Sequence, residues 1–502
     1  MQEIVNQINS FVWSPALIYL CLAAGLFFSI LTRFVQVRLF KEMISLLFSS
    51  KESDRGISSF QALSVSLSGR VGTGNIAGVA AAIGFGGPGA VFWMWVVAFL
   101  GASTAYVEAA LGQIYKEEDE GQYRGGPAYY IEKAMGQKWY AWIFAITTII
   151  AVGVLLPTVQ SNSIGNAAEL AFGGSGMLQT GFGDISYTKF AAAIIVVAIL
   201  GIIIFGGVKR IAHVTQVVVP FMALGYILMS VGIIVTHISQ LPGIITLIFT
   251  DAFTPMAGVG AAIGWGVKRG VYSNEAGQGT GPHAAAACEV QHPAQQGLVQ
   301  AFSVYVDTLF VCSATAFMIL ITNQYYVTGV ESSISGGMLA TDVAANSPAF
   351  TQYALESVVG GFGKTFVAVA LFFFAFTTLL AYYYIAETNV AYIRRSFKFP
   401  GEITILKFFL LGSVFYGTVR TADLAWGLGD IGVGVMAWLN IIGILILFFM
   451  GRPALRALKD YEAQRKAGVE AYTFDPEALG IKNADFWITR KSPSESRYRS
   501  HE

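Results

Sequence analysis

The sequence predicts an all-α polytopic membrane protein of about eleven spans. Ten of them form an inverted repeat of two five-span halves, and one extra transmembrane helix stands at the N-terminus. Three observations lead there. Of 502 residues, 55% are hydrophobic and 12% charged, with a mean hydropathy of +0.59, where a soluble domain carries about 25% charged residues. The apolar segments run for about twenty residues without alternation, which suits helical spans and not a barrel. Two segments, the first and sixth of ten once the leading span is set aside, are interrupted by glycine and polar residues. Paired interruptions at matching places in two halves are the sequence signature of an inverted-repeat secondary transporter. With an odd number of spans per half, the halves insert in opposite orientations.

Hydropathy places the spans at 13–34, 57–85, 88–112, 142–171, 188–205, 214–235, 258–281, 297–321, 366–386, 403–417 and 431–450, with a kink expected at Pro157 in the fourth. The chain divides into residues 1–56 (an extracellular N-terminus, the first span and a cytoplasmic connection), a first repeat at 57–237, a second at 238–452, and a cytoplasmic tail at 453–502. The tail opens on an amphipathic stretch at 453–466 that suits a membrane surface, and its last dozen residues have the composition of a disordered end. Arg33, Arg38, Lys41, Lys51 and Arg55 fall in one connection, and the basic residues at 116–138, 209–210 and 394–398 fall on the same side. The connections 172–187, 236–256 and 322–362 hold no Lys or Arg. The positive-inside rule then puts the N-terminus outside and the C-terminus in the cytoplasm of a multi-pass plasma-membrane protein.

Net charge is zero, which argues against a nucleic-acid partner, and nothing marks an obligate protein partner. Cys21, Cys288 and Cys312 lie in or beside apolar stretches and read as buried thiols. Residues 1–10 lack the basic start of a cleavable signal peptide. His283 and His292 flank Cys288 without zinc spacing and read as loop residues. No Gly-x-x-x-x-Gly-Lys-Ser/Thr is present, so this chain's own ATP hydrolysis does not drive transport.

The first interruption is Ser68-Gly-Arg-Val-Gly-Thr-Gly-Asn-Ile-Ala-Gly-Val79. Each glycine costs up to about 1 kcal/mol in a helix interior, and Arg70 is expensive at depth. A helix broken near 71–75 frees N–H groups that favour a carboxylate and carbonyls that favour a cation. Such backbone is tolerated at membrane depth only where it is buried in protein or lines a cavity. Gly74-Asn-Ile-Ala-Gly78 is also a small-residue packing motif. Gly72, the Thr73 hydroxyl and the Asn75 amide, which packing does not need, favour the break. The second interruption spans 258–281, where glycines recur and Lys268, Arg269, Asn274 and Glu275 intervene.

Gln160 sits midway along a long span, with Ser163 on its face; binding and plain interhelical bonding both fit. Thr377 and Thr378 can ligate a small hard cation beside backbone carbonyls, or bond their own helix. Glu108, Glu275, Asp307 and Glu387 stand at depth against Arg70, Lys268 and Arg269. Arg70 or Arg269 pairing with Glu275 or Asp307 makes an inner gate, with the partners left open.

Val71-Gly-Thr-Gly-Asn-Ile-Ala-Gly-Val79, Arg269-Gly-Val-Tyr-Ser-Asn-Glu-Ala-Gly277, His292-Pro-Ala-Gln-Gln-Gly-Leu-Val-Gln-Ala-Phe302, 307–318 and 374–384 together resemble the alanine/glycine:cation symporters, also called sodium:alanine symporters. The resemblance runs to about Pro453 and implies the leucine-transporter-like fold with one extra N-terminal helix. It implies that the Thr73 and Gly74 N–H groups hold a substrate carboxylate, with Asn75 close by and Gln160 on the amino acid. Ile263, Gly264 and Trp265 would line the broken part of the second interrupted span and contact the amino group or side chain. Na+ would sit among the Ser68, Val71 and Phe374 carbonyls and the Thr377 and Thr378 hydroxyls. Members that carry alanine commonly follow the Thr-Thr pair with Gly-Trp, where this chain has Ala381-Tyr382; Tyr382 would then form the pocket wall. Arg70 also replaces a small residue. The 278–283 run and the Ala381-Tyr-Tyr-Tyr384 run resemble members associated with glutamine.

The function expected is therefore sodium-coupled import of a small neutral amino acid, alanine or glycine first and glutamine second, by alternating access. A sensor on the same scaffold is the weaker rival, since the tail is too short for a signalling domain. No continuous polar pore face marks a channel, and no nucleophile–base or metal-ligand spacing marks an enzyme.

Overall fold

The computed structural model describes residues 2–49, 55–174, 176–180, 183–254, 256–398 and 400–490. Helix α1 (Gln2–Val12) meets α2 (Pro15–Leu31) at a bend of 41°. Pro15 sets that bend: it starts the second helix but has no N–H with which to continue the first. Helix α3 (Ser59–Arg70) opens on a capping box in which Ser58 and Gln61 each serve the other's backbone N–H. It stops at Arg70. Val71 and Gly72 leave the helix, a π turn runs over Gly74–Gly78, and α4 (Val79–Gly86) completes the segment. The predicted interruption at 71–75 is therefore present, concentrated in its first two residues.

Next come α5 (Ala90–Ile114) and the long α6 (Lys138–Phe172). Pro157 cannot donate to the Gly153 carbonyl, and α6 widens into a π turn at Ala151–Leu155 where the kink was expected. Helices α7 (Tyr187–Ile204) and α8 (Gly207–Thr236) follow. The second interrupted segment is α9 (Val259–Asn274) and the short α10 (Gly281–Ala287). Then come α11 (Pro293–Ile321), with a π turn at Val306–Cys312, α12 (Phe362–Arg394), α13 (Glu402–Val419) and α14 (Ala422–Phe449). Helix α14 starts well before the predicted 431, which draws Asp430 into a helix interior.

Among the described residues, eight helices are long and apolar enough to cross a membrane, nine if the bent pair α1–α2 is one span. The two interrupted segments fall outside that count because each is cut into short pieces. Their pieces are buried at the centre of the bundle, against α5, α8, α11 and α12.

The basic connections meet at one end of the bundle, where Arg55 pairs with Glu118 (2.7 Å), Arg394 with Glu120 (2.8 Å) and Arg395 with Glu117 (3.2 Å). The tail covers the same end. Its helix α15 (Pro453–Lys466) was expected on a membrane surface, but it buries Leu458 and Tyr461 against protein. Glu462 pairs with Arg33 (2.5 Å) and Arg38 (2.6 Å), and Tyr461 donates to Glu42 (2.5 Å). Further along, Trp487 Nε1 donates to the Gln113 carbonyl (2.9 Å). Lys116, buried between Tyr123, Phe486 and Trp487, has its pKa pushed down to about 7 by desolvation, against the pull of Glu289. The last dozen residues lie outside the described ones. We call this end the tail face and the opposite end the far face.

Candidate substrate and cation site

The break after α3 lies in the bundle interior, so its freed groups need partners there. Gly72 N–H donates to Asn75 Oδ1 (2.8 Å), and Thr73 N–H donates to Gln160 Oε1 (3.0 Å). The Gln160 carbonyl oxygen thus takes a backbone N–H that a carboxylate oxygen could also accept. Tyr272 from α9 and Tyr382 from α12 close around Gln160, all three buried. Thr73 Oγ1 is buried with no hydrogen-bond partner among the described residues. A carboxylate displacing Gln160 would meet the Thr73 N–H and that free hydroxyl together.

Beside it lies a cluster of oxygens. Thr378 Oγ1 is 2.7 Å from the Ser68 carbonyl, 2.9 Å from the Phe374 carbonyl and 3.5 Å from the Val71 carbonyl. Thr377 Oγ1 is 3.1 Å from the Phe374 carbonyl. These five oxygens come from the end of α3 and the middle of α12, are buried, and are the hard donors that a sodium ion takes. Gly72 joins the two sites. A Cβ there would overlap Thr378 Oγ1 and lie 2.9 Å from Gln160 Oε1.

The second break falls at 275–280. Glu275 (φ +57°), Gly277 (φ +86°) and Gly279 (φ +83°) take left-handed backbone, which only glycine adopts without cost. The N–H groups of Gly277 and Gly279 donate to Glu108 (3.3 and 3.2 Å), and Asn440 Nδ2 donates to the same carboxylate (2.7 Å). Glu108 therefore braces the break, a role its position on another helix concealed.

Ile263, Gly264 and Trp265 do not line this break. They lie in regular helix about three turns earlier, roughly 15 Å away at 1.5 Å per residue. All three line a far-face cavity of about 460 Å³ with Trp13 and Lys268. The glycines that suggested unwinding serve packing instead. A Cβ at Gly266 would lie 2.5 Å from the Ala90 carbonyl, and one at Gly270 would overlap Val97. Tyr272 is the α9 residue that reaches Gln160. Asn75 has its amide fully engaged by the chain, through Gly72, Asp307 and Cys312; it holds the break rather than facing a ligand.

The ion pairs also differ from those expected. Arg269 forms a two-pronged pair with Asp430 (2.8 and 2.9 Å), Lys268 joins at 2.6 Å, and Trp426 lies 4.4 Å under the guanidinium. This cluster lies beside the far-face cavity, so Arg269 takes no part in an inner gate. Arg70 donates to the Gln300 carbonyl and the Ser303 hydroxyl and has no carboxylate within 4.0 Å among the described residues. His292 lies in a connection, as expected, but His283 is not a loop residue. His283 is buried in α10, donating from Nδ1 to the Thr280 carbonyl (3.0 Å) and accepting from Asn389 (2.9 Å). His292 caps α11. No group of three metal-ligating side chains occurs among the described residues.

Two interrupted helices with their breaks side by side, a backbone N–H held only by a side-chain amide and an adjoining oxygen cage are the features of a secondary carrier of a small solute with a cation. Residues 1–475 match the model of the sodium:alanine symporter family, and the chain belongs to it. YrbD of Bacillus subtilis (strain 168), named as a candidate sodium/proton-dependent alanine carrier, is 58% identical over 491 residues, covering 97% of this chain and 98% of its own. The sodium/proton-dependent alanine carrier of Bacillus sp. (strain PS3) is 48% identical, covering 89% and 97%. GlnT of the same Bacillus subtilis strain, named as a candidate sodium/glutamine symporter, is 39% identical, covering 97% and 96%. Among solved structures, MhsT with L-phenylalanine aligns at a TM-score of 0.50 and 12% identity, over 80% of this chain and all of MhsT. That likeness bears on the fold alone, and it agrees with the leucine-transporter-like architecture.

Proposed function

We propose that this chain imports alanine or glycine with sodium by alternating access, using the break after α3 as the shared floor of both sites. The observation that carries this reading is Gly72. One residue without a side chain lies between the Thr378 oxygen cage and the Thr73–Gln160 dock, so the two ligands assemble on one piece of backbone. Na+ binds among Ser68, Val71, Phe374, Thr377 and Thr378 and ties the end of α3 to α12. The amino-acid carboxylate then displaces Gln160 from the Thr73 N–H and docks on the N–H groups of Thr73 and Gly74, and the two tyrosines close over its side chain. Sodium has to bind one state of the carrier better than the other for its gradient to drive the cycle.

Eleven spans follow if the bent pair and both interrupted segments cross the bilayer, with repeats at 57–237 and 238–452. The tail face is cytoplasmic by its basic residues and the N-terminus is outside. A cysteine introduced at Ser333 should react with an impermeant thiol reagent in intact cells, and one at Lys466 should not; the reverse would invert the topology.

Glutamine is the second reading, favoured by the Ala381-Tyr382 pair, but the two alanine carriers stand nearer in sequence than GlnT does. Uptake of labelled alanine, glycine and glutamine into proteoliposomes, with and without an inward sodium gradient, decides between them. Sodium-dependent accumulation of alanine or glycine is expected. Accumulation of glutamine alone would reassign the pocket, and equilibration indifferent to sodium would remove symport.

A further inference from the structure

Alternating access requires the tail face to open in its turn, and α3 and α10 lie between the two breaks and that face. In this structure both are shut in. All of α10 is buried, and so is α3 from Gln61 to Arg70. Their outer ends are also joined to each other. Ile57 N–H donates to the Ala287 carbonyl (3.0 Å), and Glu289 N–H donates to the Ile57 carbonyl (2.9 Å), a two-bond parallel bridge. The start of α3 and the end of α10 therefore move as one clasp.

The clasp rests on the connection that follows α5. Gln113 and Lys116 both donate to the Cys288 carbonyl (2.9 and 2.8 Å), and Tyr123 donates to the Glu289 carboxylate (2.8 Å). Over this connection and the clasp lies the end of the tail. Arg490 pairs with the Glu289 carboxylate and donates to the Val290 carbonyl (2.6 Å). Trp487 reaches the Gln113 carbonyl, and Phe486 packs edge-on against Tyr123 with ring centroids 5.1 Å apart.

At its other end the same stretch is fastened elsewhere. Asn483 Nδ2 donates to the Lys133 carbonyl (2.7 Å). Lys133 belongs to the helix Pro127–Met135, whose Tyr129 packs against Tyr392 of α12 (5.2 Å) and whose Tyr130 donates to Asn440 of α14. Residues 483–490 thus run from the clasp to a helix seated on α12 and α14. Chain ends are poorly ordered unless they are tied down, and this one is tied: Ile481, Ala484 and Trp487 are buried. The Arg490–Glu289 pair is partly exposed, so it fixes position more than it adds stability. Trp487 is the anchor, with its ring buried and its N–H bonded.

We infer that residues 483–490 are an autoinhibitory strap. Docked, they hold the clasp of α3 and α10 against the helix Pro127–Met135, and the tail face opens only once they let go. The strap joins two parts that have to separate, so each bond it makes favours the closed state alone. The inference rests on the alternating-access reading and not on where sodium or the amino acid binds.

Native thiols read the strap directly. Cys288 lies in the clasp and Cys21 in α2, both buried. In the full-length chain, Trp487→Ala combined with Arg490→Ala should speed labelling of Cys288 by N-ethylmaleimide by about tenfold or more, because both residues bond to the closed state. Cys21 should keep its wild-type rate. Unchanged labelling of Cys288 would overturn the strap, and so would equal acceleration at Cys21, which marks general loosening. The converse variant carries Glu289→Cys and Arg490→Cys with Cys288→Ala, joined by a short reducible bis-maleimide. Its sodium-driven alanine uptake in proteoliposomes should stop until reductant is added; uptake at the untethered rate would overturn the inference. Should the released variant fail to fold, the tether decides. Should the wild type show no uptake, symport fails and the labelling still decides on the strap.

Discussion

Replacing Thr377 and Thr378 by alanine together is expected to raise the sodium concentration for half-maximal alanine uptake by at least about 100-fold. Each substitution removes a hydroxyl from the five-oxygen cage, and a buried bond to a charged group is worth about 1.5–3 kcal/mol. Thr378 should dominate, because its hydroxyl bridges both helices: it reaches the Ser68 carbonyl at 2.7 Å and the Phe374 carbonyl at 2.9 Å. Thr378→Ser keeps the oxygen and should recover most of the affinity, which separates a ligand role from simple packing. Alanine affinity at saturating sodium should change little. An unchanged sodium dependence in the double variant would place the cation elsewhere.

Gly72→Ala is expected to damage both ligands at once. Its methyl group overlaps Thr378 Oγ1 and crowds Gln160 Oε1 at 2.9 Å. Overpacking of this kind costs about 1–3 kcal/mol, or roughly 5- to 150-fold in affinity at 1.4 kcal/mol per factor of ten. The backbone at Gly72 does not require left-handed dihedrals, so the effect is steric and the variant should still fold. Equilibrium binding of labelled sodium and labelled alanine to the purified variant should show both affinities falling together. Loss of one alone would mean that the two sites do not share this residue.

Much of this was legible in the sequence, and particular residues show why the rest was not. The break at Val71–Gly72 was readable because Thr73 and Asn75 add hydrogen-bonding groups that close packing does not need. The Thr377–Thr378 pair was readable because its neighbours are uniformly apolar. Gly266 and Gly270 misled, because a glycine that admits a neighbouring helix looks the same as one that ends its own. Only the helix opposite, with Ala90 and Val97 against it, tells them apart. A sequence signal for the true break did exist: Gly277 and Gly279 alternate just after Asn274-Glu275, where two closely spaced left-handed residues end a helix. Asp430 escaped because it lies 161 residues from Arg269 and at a hydropathy boundary, where an acidic residue reads as the end of a span. Glu108 was flagged as ionisable at depth, but which backbone it braces depends on packing between distant segments.

Sodium and the amino acid should bind as one unit around the first break. The most direct test measures alanine affinity of the purified protein across sodium concentrations, and sodium affinity across alanine concentrations. Coupling between two sites is reciprocal, so each ligand should raise the other's affinity by the same factor, at least tenfold. Alanine binding that is tight without sodium and unmoved by it would contradict the account.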